Sequence, residues 1–108
     1  MTLPEIISEL KENPNISPGT IVSYHSWCAA EYSLYATQLE TLLDKKADHW
    51  TTSRKDVGST AEWERTWQAT EEGRMETKLR MRLKSLEKIL SSLKTRISVK
   101  EMEAKNIF

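Results

Sequence analysis

Apolar positions along the chain recur at helical spacing, with almost no strict alternation. Leu3, Ile6, Ile7 and Leu10 follow the i, i+3, i+4, i+7 pattern of one buried helix face. Thr2 and Glu5 stand three apart, as N-cap and N3 of a capping box, and Pro4 lies in the tolerant first turn. Asn13-Pro14 ends this short helix, predicted over 1–13, because the residue before a proline is pushed out of the α region. A second stripe runs Ile21, His25, Cys28, Tyr32, Tyr35, Leu39, Leu42 in alternating steps of four and three. Ser17 is a good N-cap and Pro18 a good first helical residue. Neither Pro nor Gly interrupts 20–57, so the pattern predicts a long helix over 18–54, roughly 50 Å at 1.5 Å per residue.

The polar stretch 51–60, TTSRKDVGST, holds Val57 and Gly58 and predicts the main loop. Ser59 and Glu62 then repeat the capping-box spacing. Beyond them Trp63, Trp67 and Thr70 line one face, and Leu79, Leu83, Leu86, Leu90, Leu93 and Ile97 form a heptad-like seam. Extending the seam backwards gives Glu76, Glu72, Ala69 and Arg65, which miss both tryptophans. The apolar phase therefore jumps near Gly73, by a stutter, a kink or a break. Because TEEGRMET lacks proline, the expectation is one helix over 59–106, bent near Gly73. The predicted fold is all-α: a single helical domain over 1–108, built as a long antiparallel hairpin with a short N-terminal helix across it. Narrow seams leave Tyr, Trp and Leu surface uncovered, so the hairpin is expected to associate with itself.

Composition supports helices over a thick β core. Of 108 residues, 38% are apolar and 30% charged, and Gly and Pro number three each. The longest apolar stretches are a few residues, too short for a bilayer. The opening MTLPEIISEL has no basic region and no apolar block of signal-peptide length. With a single cysteine, Cys28, no internal disulfide is available, and a reducing, intracellular setting is expected.

Net charge is zero, but unevenly spread. Residues 1–73 carry 6 Lys/Arg against 12 Asp/Glu, and residues 74–100 carry 9 against 2. Arg74, Lys78 and Arg82 step by four along one face of the helix, and Arg80, Lys84 and Lys88 along another, so that the two rows flank the leucine seam on both sides. Two purposes fit. Such rows bind phosphates along a helix. They equally pair with acidic residues of the second helix, Glu31, Glu40, Asp44 and Asp48. The candidate nucleic-acid contacts are Arg74, Lys78, Arg80, Arg82, Lys84 and Lys88.

Catalytic chemistry finds no foothold. His25 and Cys28 have ligand-like spacing, but zinc needs about four ligands and only His49 remains as a strong one. A reactive thiol needs an accessible, electropositive setting, which a buried stripe does not give Cys28. No P-loop, Gly-x-Gly or His-Glu-x-x-His pattern occurs. The reading is a non-enzyme without a metal, cofactor or small-molecule substrate. Tyr24, Trp27, Tyr32 and Tyr35 crowd the second helix, as interhelical filling or as a stacking platform. Trp63 and Trp67, near the turn, are candidate anchors for a protein partner.

The segment WERTWQATEEGRMETKLRMRLKSLEKILSSLKTRI, with its Ser92–Arg96 Ser-Leu-Lys-x-Arg ending and the closing KEMEAKN, resembles small helical proteins of bacteriophages encoded near recombination and replication genes. The resemblance covers roughly residues 20–106. It implies an accessory role in DNA recombination or replication within the cytoplasm of a bacterial host, or interference with a host enzyme or defence complex. It carries no catalytic residues. The small Trp-x-Gly proteins of type VII secretion are a poorer comparison, because no tryptophan here stands two before a glycine.

Overall fold

The structure, a computed structural model, describes residues 1–56 and 58–106. Val57, which the sequence places in the connecting loop, lies outside the described residues. Among the described residues the protein is all-α. Its helices are α1 (Leu3–Glu12), α2 (Pro18–Ser53), α3 (Thr60–Ala69) and α4 (Glu71–Asn106), with a 3₁₀ turn at Arg54–Asp56 between α2 and α3. No helix of the described residues is long and apolar enough to cross a membrane.

The chain divides into two compact units, one of Met1–Tyr32 with Ser85–Phe108 and one of Ser33–Lys84. In the first, the Thr2 hydroxyl accepts from the Glu5 N–H and the Glu5 carboxylate accepts from the Thr2 N–H, so both halves of the capping box form. That satisfies donors a helix start otherwise leaves bare. The far end of α1 is held too, where Arg96 of α4 donates to the Leu10 carbonyl at 3.1 Å. Ile6 and Leu10 of α1, Ile16, Ile21 and Cys28 are buried in this unit, as are Leu86 and Leu93. Cys28 has no exposed surface, and desolvation first, then the Glu31 carboxylate, pushes its thiol above the ordinary value. It behaves as a small core residue. The Tyr32 hydroxyl donates to Glu87 at 2.9 Å.

The second unit holds the Trp-rich core. Leu42 of α2, Trp63 and Trp67 of α3 and Leu79 of α4 are its buried centre, with Tyr35, Leu39 and Trp50 packed around it. Residue numbers rise along α2 as they fall along α4, Tyr35 meeting Arg82 and Lys46 meeting Glu76, which is an antiparallel sense.

The expectation of one bent helix over 59–106 is corrected here. The chain breaks at Thr70, whose extended backbone (ψ 162°) stops α3. Thr70 serves both helices. Its hydroxyl donates to the Trp67 carbonyl at 2.6 Å and accepts from the Gly73 N–H at 3.0 Å, as an N-cap side chain does. Its own N–H also returns to Trp67 O, and its carbonyl takes the Arg74 N–H. The break reconciles the two apolar phases, because each helix can now turn its own stripe inward. It also brings the start of α4 against the end of α3. A methyl group on Gly73 would collide with the Trp67 carbonyl oxygen and stand 2.6 Å from its carbon and 2.7 Å from the Gln68 Cα.

Candidate nucleic-acid interface

The Ser33–Lys84 unit carries five of the six basic residues singled out above, and the structure sorts them into separate jobs. Arg82 is structural. Its guanidinium lies 5.2 Å from the centre of the Tyr35 ring, and Nη1 donates to the Tyr35 hydroxyl at 3.3 Å. That cation–π contact joins α4 to α2. Arg80 is half-committed, since its Nε donates to Glu76 Oε2 at 2.9 Å one helical turn back. Arg74, Lys78 and Lys84 are exposed and have no ion-pair partner among the described residues. Lys88 belongs to the other unit, where it is also exposed and without an ion pair among the described residues.

The alternative purpose, pairing with an acidic α2, is not what forms. Among the described residues no ion pair joins these cations to Glu31, Glu40, Asp44 or Asp48. The interhelical pairs run the other way. Lys46, a cation of the acidic helix, reaches Glu64 of α3 at 3.2 Å and Glu76 of α4 at 3.1 Å. Nothing in the sequence marks Lys46, because the register that brings it to both acids depends on α3 folding back at Thr70.

Glu76 is the centre of that network. Its Oε1 accepts from Lys46 and from the Trp67 Nε1–H at 3.0 Å, and its Oε2 accepts from Arg80. Burial favours the neutral acid, but the hydrogen bonds from Arg80, Lys46 and Trp67 together outweigh it and hold the carboxyl below its ordinary range. Burial likewise opposes the Lys46 ammonium, and its bonds to Glu76 and Glu64 reverse the balance, so its value is raised. Glu76 thus stabilises the fold above its unfolded value and loses that contribution as pH falls through the lower folded value. Lys46 contributes below its unfolded value and loses the contribution only as pH rises through the higher folded one. Melting followed against pH is expected to fall on acidification below about pH 4.5. Glu76→Gln should cost about 2 kcal/mol at neutral pH and flatten the acid limb. An unchanged acid limb in that variant would assign the loss to other carboxylates.

The two tryptophans proposed as partner anchors are not surface residues. Trp63 is 3% exposed and Trp67 2%. Their rings stack at 6.0 Å and 7°, and Trp50 meets Trp63 edge-on at 4.9 Å. Each indole N–H is used, Trp63 donating to Ser53 Oγ at 2.8 Å and Trp67 to Glu76. A buried, satisfied indole has no face left for a partner, so the anchor reading gives way to a core role. On α2, Tyr24, Trp27, Tyr32 and Tyr35 are all half-buried.

An open groove of about 500 Å³ runs between α3 and α4, lined by Gln68, Glu76, Thr77, Arg80, Met81 and Lys84. It adds to the exposed cations a concave surface that the one-dimensional pattern does not reveal. Among the described residues no three His, Cys, Asp or Glu side chains gather where they could hold a metal ion. No family model matches the chain, and no curated protein and no solved structure is similar enough to count as a match.

Proposed function

We propose that this chain is a non-enzymatic accessory protein that binds nucleic acid through the first half of α4. Its setting, by the resemblance described above, is phage-type DNA recombination or replication inside a bacterial cell. The observation that carries the reading is the absence of acidic partners, among the described residues, for Arg74, Lys78 and Lys84. Cations held on a rigid helix and left without counter-charges gain free energy by displacing the condensed counterions of a polyphosphate. No base-reading helix motif accompanies them, so contact is to the backbone and tolerant of sequence. The antiparallel sense of α2 and α4 within the Ser33–Lys84 unit supports a helical hairpin, and exposed Leu34 and Met75 support its self-association. The alternative, an inhibitor or adaptor docking through Trp63 and Trp67, loses its residues to the core.

Fluorescence anisotropy with labelled DNA tests the reading. Three phosphate contacts predict an affinity loss of about forty-fold between roughly 50 and 200 mM salt. The triple variant Arg74→Glu/Lys78→Glu/Lys84→Glu should lose binding while its circular dichroism stays unchanged, since none of the three holds another residue in the fold. No binding by the parent protein at the lower salt, or full binding by the triple variant, would overturn it.

A further inference from the structure

The groove between α3 and α4 carries more than a charge. Arg80 is unusual among the cations, because one edge of its guanidinium is fixed and the other is free. Nε is bound to Glu76, yet Nη1 and Nη2 have no partner among the described residues, and the side chain is 54% exposed. A guanidinium held in this way presents a planar fork at reduced entropic cost, and that fork matches two oxygens of a phosphate. Glu76 also lines the groove; Lys46 and Arg80 balance its charge and that of Glu64, so the positive excess at the groove comes from Lys84, and Arg80 contributes the geometry of its free Nη edge. Lys84, one turn beyond Arg80, lines the same groove and adds a second cation.

The remaining lining is not what a bare anion needs. Met81 is 65% exposed and offers a polarisable apolar surface. Gln68 on α3 brings an amide with both donors and an acceptor. The Thr77 hydroxyl donates to the Gly73 carbonyl at 3.3 Å, which leaves its oxygen able to accept. The groove thus sets an apolar face, an amide and a hydroxyl beside its two cations in an open space of about 500 Å³.

We infer that this groove seats one unstacked nucleotide of a single-stranded nucleic acid, with its phosphate on Arg80 and Lys84 and its base against Met81 and Gln68. The inference rests on the proposed nucleic-acid function and narrows it. A duplex keeps its bases stacked and their pairing edges occupied, so it can use only the exposed cations. A single strand can splay one base into the groove and use both.

The experiment compares labelled oligothymidine with a labelled duplex of matching length at low salt, using the full chain. The single strand is expected to bind at least about ten-fold tighter. Gln68→Ala and Met81→Ala should each weaken single-strand binding by roughly three- to ten-fold, the change expected of one net interaction, and leave duplex binding unaltered. Both side chains are exposed, and circular dichroism checks that the helices persist. Equal affinity for the two DNAs with both variants unaffected would overturn the groove and leave the cationic face standing. Displacement by polyglutamate as effective as by unlabelled oligothymidine would also overturn it, as a site for any anion. Binding to neither DNA would remove the nucleic-acid function itself and the groove with it.

Discussion

Replacing Gly73 with alanine is expected to destabilise the protein by about 3 kcal/mol, although alanine is the better helix former. Intrinsic propensity alone favours the substitution by about 1 kcal/mol. The added methyl group, however, has nowhere to go. It would meet the carbonyl of Trp67 and the Cα of Gln68, which are backbone atoms and cannot swing aside. Overpacking of this kind costs about 1–3 kcal/mol or more, and here it also pushes apart the corner that Thr70 caps on both sides. Gly19→Ala is the internal control, because nothing lies within 4 Å of a Cβ built there. Thermal melting by circular dichroism decides the matter by sign. If α3 and α4 formed one continuous helix in solution, Gly73→Ala would raise the melting temperature.

Trp67→Ala should have the largest effect of any single truncation, about 3–5 kcal/mol, and lower the melting temperature by about 20 °C. Three losses coincide. The ring leaves a cavity against Leu42 and Leu79, its stacking partner Trp63 loses a face, and Glu76 loses one of its donors. The Ser33–Lys84 unit is small, so such a loss is a large share of the total free energy of folding. Trp67→Phe separates the contributions, since it restores most of the ring but not the Nε1–H bond. Its expected cost is about 1–2 kcal/mol. A Trp67→Ala protein that melts within a few degrees of the parent would mean that the ring is exposed in solution and would return it to the list of partner contacts.

Local signals in the sequence specified local structure well. The Thr2/Glu5 capping box and the Ser17-Pro18 start appear where their spacing puts them, and so does the Ser59 hydroxyl on the Glu62 N–H. These features rest on neighbours three or four residues apart. The end of the tryptophan helix was only half legible. The phase jump near Gly73 is visible in the pattern, but Thr70, favoured at a cap, is also tolerated inside a helix, and Gly73 stands where an acidic residue would complete a capping box. What chose the break is the burial of Trp63 and Trp67 against Leu42 and Leu79, a contact between distant segments.

The candidate site shows the same division. The helix bearing the six cations was readable, and their fates were not. Arg82 is drawn to Tyr35, and Lys46 takes the acids, through the register of one helix against another; only the Arg80–Glu76 pair, one turn apart within α4, was open to the sequence. Leucine spacing could not reveal that register, since the pattern fixes which face is buried but not what lies opposite. The groove beside Met81 was hidden for the same reason.

The chain of bonds from the Trp67 indole through Glu76 to Arg80 has an optical consequence. An indole's emission colour follows the electric field along its ring. Here the nearest carboxylate is shared between that ring and the guanidinium edging the groove. Any charge that settles on Arg80 alters the field Trp67 experiences, although the ring itself stays shielded from water. A shift in the protein's tryptophan emission on adding an oligonucleotide would then register a charge at Arg80, seen from inside the core.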